Sequence, residues 1–279
     1  MVLATVLALS AAMLHTAWNL LLKTAPEADR DLTSWGLFLV GGALALPVAT
    51  ALGGPGLVAA PWLTLSTLIH LAYINALVAA YRQGDFSLAY PLARGGGAMV
   101  AAVGGALFLG DTLPVLAWVA IAVVVAALAS LIGPGVSLTT VRNALVTAVA
   151  IGSYTLVDAH GARVSASALA YGLSTTTTAA LGLSVMFLLR GRGPALRTAF
   201  PLQWWRWTIA GACSAAAYAA VLVAVRYADV GYVAMLRESS VVLGAFIGWR
   251  VLQEPMGGRR LASSGVVLVA MVALIAVTI

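Results

Sequence analysis

The sequence has 279 residues, of which 62% are hydrophobic and only 9% are charged, and its mean hydropathy is +1.02. Soluble domains contain about a quarter charged residues, so this composition excludes a soluble globule and leaves no length for a catalytic domain outside the membrane. The net charge of +6 comes without a basic run, which argues against nucleic-acid binding, and the single cysteine, Cys213, excludes an internal disulfide framework.

Ten hydrophobic runs follow one another along the chain, separated by charged residues or by glycine and proline. Each is close to the roughly 20 apolar residues that cross a bilayer as a helix. The predicted spans are 3–22, 33–52, 62–81, 88–108, 114–132, 142–160, 168–189, 205–225, 231–249 and 261–278. The first run lacks a basic leader and a small-residue cleavage site, so we interpret it as a retained span. We therefore predict an all-α integral membrane protein with ten transmembrane helices.

The basic residues predict the orientation of these spans. Eleven lysines and arginines fall in the connections of one side, and only two, Arg163 and Arg226, fall in those of the other. Because cytoplasmic loops are enriched in lysine and arginine, we expect connections 23–32, 190–206 and 250–260 to be cytoplasmic. Both termini then lie on the outer side of the membrane.

The two halves of the chain resemble one another in order. Arg94 in the fourth span matches Arg237 in the ninth, and Asp111 after the fourth matches Glu254 after the ninth. We predict a first five-helix repeat at 1–132, a linker at 133–141 and a second repeat at 142–279. Five is an odd number, so the second copy enters the membrane from the opposite face, as in many secondary transporters with a site between inverted repeats. The alternative is that helices rich in alanine, valine and leucine always look alike.

Short motifs at matching places give the chain a family resemblance. It resembles the ten-helix EamA-type carriers of the drug/metabolite transporter superfamily, and most of all the bacterial exporters of aromatic amino acids and related metabolites. The residues that carry the resemblance are Trp18, Asn19, Leu22, Lys23, Pro91, Arg94, Asp111 and Glu254. The resemblance implies two inverted halves around a central cavity, and export across a bacterial inner membrane with periplasmic termini. The four-helix members of the superfamily use a first-helix glutamate for proton antiport, but no acid lies between Met1 and Lys23 here.

Ionisable residues inside spans are expensive and are therefore functional candidates. Arg94 lies between Pro91, which removes a backbone donor, and Gly95, Gly96 and Gly97, which allow close helix approach or local unwinding. Its guanidinium could clamp a substrate carboxylate. The structural alternative is a salt bridge from Arg94 to Glu238 or to Asp158.

The ninth span carries Arg237 and Glu238 side by side. Adjacent helical positions point about 100° apart, so we do not expect these two to pair with each other. One could face the cavity while the other contacts a neighbouring helix. Glu238 is the best candidate for a titrating group, because burial penalises a charged carboxylate; the alternative is a counter-ion for Arg94 or Arg237.

Polar and aromatic residues recur on faces that could line a cavity. Helical spacing puts His15, Trp18 and Asn19 on one face of the first span, and Tyr154 and Asp158 on one face of the sixth. Further candidates are His70, Tyr73, Tyr90 and Tyr218. Such a lining suits an aromatic or amphipathic zwitterion. The alternative for the aromatic residues is the interfacial belt, which we expect to hold Trp35, Trp62, Trp204, Trp205 and Trp207.

The possible functional classes require different sequence motifs. The sequence holds no His-Glu-x-x-His, no Gly-x-Ser-x-Gly and no nucleotide-binding loop, so we expect neither an enzyme nor a metal or other cofactor. We predict a secondary transporter whose partners are a small-molecule substrate and the lipid bilayer, with a monomer sufficient and a dimer left open. The alternatives are an exporter of drugs, toxic cations or other metabolites with the same fold, and a membrane channel or scaffold subunit.

Overall fold

The structure is a computed structural model that describes residues 1–83, 86–112, 114–130, 132 and 136–253, together with the pairs 262–263, 265–266 and 269–270. Within these residues all regular structure is helical. The helices are α1 (Val2–Lys23), α2 (Arg30–Ala51), α3 (Ala60–Gln83), α4 (Phe86–Phe108), α5 (Val115–Ala129), α6 (Leu138–Val164), α7 (Ala168–Leu189), α8 (Gly193–Ala224), α9 (Val230–Arg237) and α10 (Ser239–Arg250).

Eight helical segments of the described chain are long and apolar enough to cross a membrane, if α9 and α10 are taken together. Their outward faces carry large apolar side chains that are exposed, among them Leu68, Val149, Leu181 and Val185. Exposed apolar surface on this scale is not tolerated in water. The chain is therefore a multi-pass membrane protein.

Successive helices run in opposite directions. At one end, which we call the Asp31 end, Arg30 Nη1 donates to the carbonyl of Tyr81 (3.0 Å), so the α1–α2 and α3–α4 connections meet there. At the other end, which we call the Asp111 end, Arg163 Nη1 lies 2.8 Å from Asp111 Oδ1, so the connections after α4 and α6 meet there. If successive spans cross the membrane in opposite directions, these are the connections expected to share an end.

The main helix pairs form a nearly symmetrical set. They are α1 with α8, α3 with α6, α2 with α7, α2 with α8, α3 with α7, α7 with α8, α4 with α6, α1 with α9 and α10, and α4 with α9 and α10. If α1, α2, α3 and α4 are exchanged with α6, α7, α8 and the α9–α10 segment, each pair except α7–α8 maps onto a pair of the set: α1–α8 becomes α6–α3, and α2–α8 becomes α7–α3. The α7–α8 pair breaks the symmetry, because its counterpart, α2 with α3, is a small contact. The α2–α7 pair and the contact of α4 with α9 and α10 map onto themselves.

The closest helix contact is between α2 and α8. A methyl group on Gly41 would lie 2.9 Å from the carbonyl oxygen of Gly211, nearer than real carbon atoms approach. Here the two backbones pack directly against each other, as small residues allow inside membranes. Beside this contact the indole of Trp207 fills the space over Gly36.

Two helices begin earlier than the predicted spans, and one predicted location was wrong. The helix α6 begins at Leu138, before the predicted span at 142, and α8 begins at Gly193, before the predicted span at 205. Trp35 and Trp207 are 1% and 0% exposed, so they pack in the core and do not belong to an interfacial belt. The sequence pattern missed this because the partners of a tryptophan come from other helices.

The last two predicted spans are the ninth, 231–249, and the tenth, 261–278. The predicted span 231–249 is two helices, because the helix ends at Arg237 and begins again at Ser239. Most of the predicted tenth span, 261–278, lies outside the described residues, as does Glu254.

Candidate functional site

A small cavity lies inside the bundle, where α1, α2, α3, α6, α7 and α8 meet. Its volume is about 20 Å³, room for about one water molecule. The lining residues are His15, Trp18, Phe38, His70, Tyr73, Tyr154, Thr175, Thr176, Ala179, Ser214 and Tyr218. The lining is therefore largely aromatic, with polar groups among the rings.

Four rings form the aromatic wall of this cavity. His70 stacks on Tyr154 with ring centroids 4.2 Å apart, and the edge of Tyr218 meets the His70 ring at 5.7 Å. Tyr73 meets Tyr154 edge-on at 5.3 Å. Residues from α3, α6 and α8 thus form one continuous aromatic surface.

His15 and Trp18 form a second polar edge of the cavity. Trp18 Nε1 donates to His15 Nδ1 (3.2 Å), so His15 Nδ1 is the acceptor nitrogen and the ring hydrogen of the neutral imidazole lies on Nε2. That Nε2 is buried and makes no hydrogen bond with the described residues. It is a donor available to a group in the cavity.

Asp158 lies beside the cavity and is completely buried. Three hydroxyl groups from three different helices donate to its carboxylate: Ser66 to Oδ2 (2.8 Å), Tyr171 to Oδ1 (2.9 Å) and Tyr218 to Oδ2. No cation among the described residues forms an ion pair with it. Within the described residues, its hydrogen-bond partners are therefore neutral donors.

Ser66 links Asp158 to the aromatic wall. His70 Nδ1 lies 2.9 Å from the Ser66 carbonyl, which can only accept, so this nitrogen carries the hydrogen. It also lies 3.2 Å from Ser66 Oγ. Because Ser66 Oγ donates onward to Asp158, His70, Ser66 and Asp158 form a continuous hydrogen-bonded chain.

A buried ion pair joins α4 to the junction of α9 and α10. Arg94 Nη2 lies 3.1 Å from Glu238 Oε1, and both side chains are less than 5% exposed. Of the two interpretations of Arg94, the structure therefore shows the salt bridge to Glu238. Glu238 is the single residue between the two helices, which places the pair at the break.

Arg237 is the second buried cation of this region. It is 2% exposed and forms no ion pair with the described residues. Arg237 is close enough to Tyr154 and to Arg94 to interact electrostatically with both. His15 is also close enough to Arg94 and Arg237 to interact with both. Glu238 thus pairs with Arg94, whereas Arg237 has no acid partner among the described residues.

Several polar atoms of this arginine region make no hydrogen bond with the described residues. They are His15 Nε2, Arg94 Nε, Arg237 Nε and Glu238 Oε2. Buried polar groups are normally paired. These atoms are therefore candidates to bind a polar group of a substrate.

Polar contacts join helices at both ends of the bundle. At the Asp111 end, Asp111 pairs with Arg163 and also accepts from the backbone N–H of Val230, the first residue of α9 (2.8 Å). At the Asp31 end, Asp31 pairs with Arg192 at 2.9 Å and with Arg82 at 3.6 Å. Each end thus has an acid that holds neighbouring helices together.

The structure brings most of the predicted site residues together. His15, Trp18, His70, Tyr73, Tyr154 and Tyr218 line the cavity, whereas Asp158, Arg94, Arg237 and Glu238 lie next to it. Asn19 and Tyr90 do not line it. The amide of Asn19 accepts from the Tyr81 hydroxyl (2.7 Å) and donates to the His15 carbonyl (2.8 Å), so it holds α1 and α3 together.

The predicted hinge residues lie within a continuous α4. Pro91 and the glycines after it interrupt no helical residue between Phe86 and Phe108. A side chain on Gly95 would meet Leu128 of α5, and side chains on Gly96 and Gly97 would meet α6. The glycines therefore serve close packing and not local unwinding.

Sequence reasoning missed several residues of the site. Ser66 and Tyr171 bind Asp158, and Phe38, Thr175, Thr176 and Ser214 line the cavity. Ser66 could have been found, because it lies one turn before His70 on the same helical face. Phe38 and Tyr171 gave no signal, because a single aromatic residue in an apolar helix does not indicate which helix it faces.

The comparisons with known proteins bear on the fold alone. No protein-family model matches the chain, and no curated protein matches it. A solved structure described as "Crystal structure of protein" matches with a TM-score of 0.73 and 16% sequence identity, over 98% of this chain and 96% of that one. At this identity the likeness shows a shared fold over almost the whole length of both chains.

Proposed function

We propose that this protein is a secondary transporter that exports small metabolites, most of all aromatic or other apolar amino acids, across a bacterial inner membrane by alternating access. In this proposal it is an EamA-type member of the drug/metabolite transporter superfamily, with ten helices in two inverted repeats and the Asp31 end in the cytoplasm. The nearly symmetrical set of helix pairs supports the inverted repeat, and such repeats surround a central substrate site in many carriers.

The observation that carries the proposal is the charge arrangement around the aromatic cavity. Tyr154 interacts electrostatically with Asp158 and also with Arg237. The cavity wall thus has a buried acid and a buried base within reach, and neither is in an ion pair with a described residue. An amino acid carries the complementary pair of charges, with its carboxylate suited to Arg237 and His15 and its ammonium suited to Asp158.

The aromatic wall supplies the remaining selectivity. Aromatic side chains contribute large apolar contact area and prefer edge-on or offset contact with other rings. His70, Tyr73 and Tyr154 present such faces beside the charged groups. A substrate with an aromatic side chain and a zwitterionic head matches both parts of the site.

A second candidate, an exporter of organic cations, rests on one observation. Asp158 with Tyr218 and Tyr154 forms an anionic and aromatic surrounding, which also attracts cations. The buried Arg237 opposes a substrate that has a positive charge alone. For this reason the zwitterion is the better match.

The test is counterflow in proteoliposomes with labelled phenylalanine, tyrosine and tryptophan. Phenethylamine and phenylpropionate serve as competitors that keep only the ammonium or only the carboxylate. Saturable exchange of the amino acids, with weak competition from either fragment, is expected. If only the amine competes or moves, the cation exporter replaces this proposal; flux that does not saturate indicates a channel, and no flux contradicts transport of this substrate class.

Arg237→Gln tests the carboxylate side of the site. Loss of a charged hydrogen bond costs about 1.5–3 kcal/mol, so the half-saturation concentration is expected to rise by about tenfold to a hundredfold. Arg226→Gln is the matched control, because Arg226 is exposed at the end of α8. An equal effect of both substitutions would contradict the assigned role.

A further inference from the structure

We propose that Asp158 is the binding site of a coupling proton, and that the proton and the ammonium group of the substrate compete for its carboxylate. This inference rests on the proposed function and adds its energy source. It makes the protein a proton antiporter whose coupling acid lies in α6.

The surroundings of Asp158 fit a group that changes its charge. A permanently charged carboxylate inside a membrane protein is normally paired with a cation, but in the described part of the chain the partners of Asp158 are the hydroxyl groups of Ser66, Tyr171 and Tyr218. Hydroxyl groups can donate to a carboxylate and can accept from a carboxylic acid. The same three partners therefore serve both forms.

The titratable and charged groups of this region belong to several helices. Tyr171 on α7 and Tyr218 on α8 bind Asp158, His70 on α3 reaches it through Ser66, and Tyr154 on α6 interacts with it electrostatically. Tyr73 on α3, Arg94 on α4 and Arg237 on α9 lie next to Tyr154. The two arginines interact with Tyr154, and Arg94 is bound to Glu238. Neither is a salt-bridge partner of Asp158.

Along α6, Asp158 lies on the Asp111 side of the cavity wall. Asp158 is six residues from Val164, the last residue of α6 at the Asp111 end, which is about 9 Å at 1.5 Å per residue. Tyr154 of the cavity wall is one turn deeper. The acid thus lies between the cavity and the end that the proposed orientation places outside.

Two routes connect the carboxylate to the cavity. Tyr218 lines the cavity and donates to Asp158 directly, and His70 lines the cavity and reaches Asp158 through Ser66. A substrate ammonium that binds the carboxylate, or a proton that neutralises it, changes the partners of both cavity residues. Occupancy of the cavity and protonation of Asp158 are therefore coupled.

The cycle balances in charge and atoms without any covalent change in the substrate. The zwitterion leaves with Asp158 ionised, one proton from outside then binds a carboxylate oxygen, and that proton is released inside when the next ammonium group binds. Each turn exports one neutral zwitterion and imports one proton. Net export is therefore electrogenic, with one positive charge entering per substrate.

Glu238 is the contrasting acid. Its carboxylate is neutralised by Arg94 at 3.1 Å and holds α4 to the junction of α9 and α10. A proton on Glu238 would leave Arg94 as an uncompensated buried cation, which is unfavourable. The structure therefore favours Asp158 over Glu238 as the proton site.

Two assays on proteoliposomes separate coupling from transport. The first is counterflow of labelled phenylalanine without a gradient; the second is its accumulation driven by a pH gradient, with and without a membrane potential set by potassium and valinomycin. The wild type is expected to accumulate substrate in response to both gradients. Asp158→Asn is expected to retain counterflow, but with a higher half-saturation concentration that does not depend on pH. The same variant is expected to lose gradient-driven accumulation. The control is Glu27→Gln, which changes an exposed acid.

A spectroscopic measurement tests proton binding without transport. The infrared carbonyl band of a protonated carboxyl group is followed against pH in purified protein, and it is expected to disappear in Asp158→Asn. In Tyr171→Phe, which removes one donor from the ionised form, the midpoint of this band is expected to move to higher pH. This second variant keeps the test decisive where Asp158→Asn does not fold.

The outcomes distinguish the two proposals. Absence of saturable counterflow in the wild type overturns the proposed function itself. Saturable counterflow with accumulation that ignores the pH gradient overturns the proton site alone. The proton site is also overturned if gradient-driven accumulation or the titrating band persists in Asp158→Asn.

Discussion

Arg94 and Glu238 form a buried ion pair, with 3.1 Å between Nη2 and Oε1, at the point where α9 ends and α10 begins. Removal of one partner leaves the other charge buried and unpaired, which costs about 3–5 kcal/mol. Arg94→Gln and Glu238→Gln are each expected to lower the unfolding temperature in detergent micelles strongly. The double variant is expected to lose less than the sum of the two.

The exposed ion pair at the Asp31 end is the control for this prediction. Arg82 lies 3.6 Å from Asp31 and its side chain is 40% exposed, so Arg82→Gln is expected to change stability by about 1 kcal/mol at most. Losses that simply add in the double Arg94 and Glu238 variant would argue that the two side chains act independently.

The contacts at the Asp111 end predict a change in accessibility. Asp111 binds Arg163 and the backbone of α9, and nearby Thr5 of α1 is hydrogen-bonded to the Tyr232 hydroxyl of α9 (2.8 Å). In a Cys213→Ser background, a cysteine introduced as Thr5→Cys is expected to react slowly with a membrane-impermeant maleimide added from outside. Adding Asp111→Asn is expected to speed this labelling, because the contact that fixes the start of α9 is lost.

A matched substitution at the Asp31 end gives the contrast for this labelling experiment. Arg192→Gln breaks the pair with Asp31 and is expected to leave the labelling rate at position 5 unchanged. Fast labelling without any further substitution would mean that the Asp111 end is open. Labelling only after permeabilisation would reverse the proposed orientation.

The sequence predicted the helical membrane class and the residues of the site better than the geometry of the site. Charged and aromatic residues inside spans stand out by type, which is why His70, Arg94 and Asp158 could be identified as candidates. Which acid binds which base depends on helix crossings. The pairing of Arg94 with Glu238, and the three hydroxyl donors of Asp158, follow from contacts between helices far apart in sequence.

Residues that suit both the membrane interface and the protein core were the hardest to assign. Trp207 follows Trp204 and Trp205, which are exposed, and yet it is completely buried against Gly36. A tryptophan suits both a membrane interface and a tight helix contact. Only the glycine on the opposite helix decides between the two, and the one-dimensional pattern does not say which helix is opposite.

The backbone contact of Gly211 with Gly41 predicts a sharp size limit. A methyl group on Gly211 would collide with the carbonyl of Leu37 and the backbone of Gly41, and backbone cannot turn aside as a side chain can. Gly211→Leu is expected to destabilise the protein by more than the roughly 1–3 kcal/mol typical of an overpacked core. Ala212→Leu, the adjacent exposed position, is expected to leave the unfolding temperature nearly unchanged; similar losses at both positions would contradict the contact.

Asp229, in the connection before α9 and outside the spans, predicts a pH-dependent stability. Burial raises the pKa of its carboxyl, the nearby charge of Asp111 raises it further, and Arg163 partly offsets both. Since the pKa of Asp229 is higher in the folded chain than in the unfolded chain, ionisation of Asp229 favours unfolding. This destabilisation develops as pH rises from the ordinary pKa of 3.8 through the pKa in the folded chain. Asp229→Asn is therefore expected to raise the unfolding temperature at pH 7, and this gain is expected to vanish below pH 3.8. Unfolding scans of both proteins across this range make the check, and a gain that is the same at every pH would show that the charge of Asp229 is not its cause.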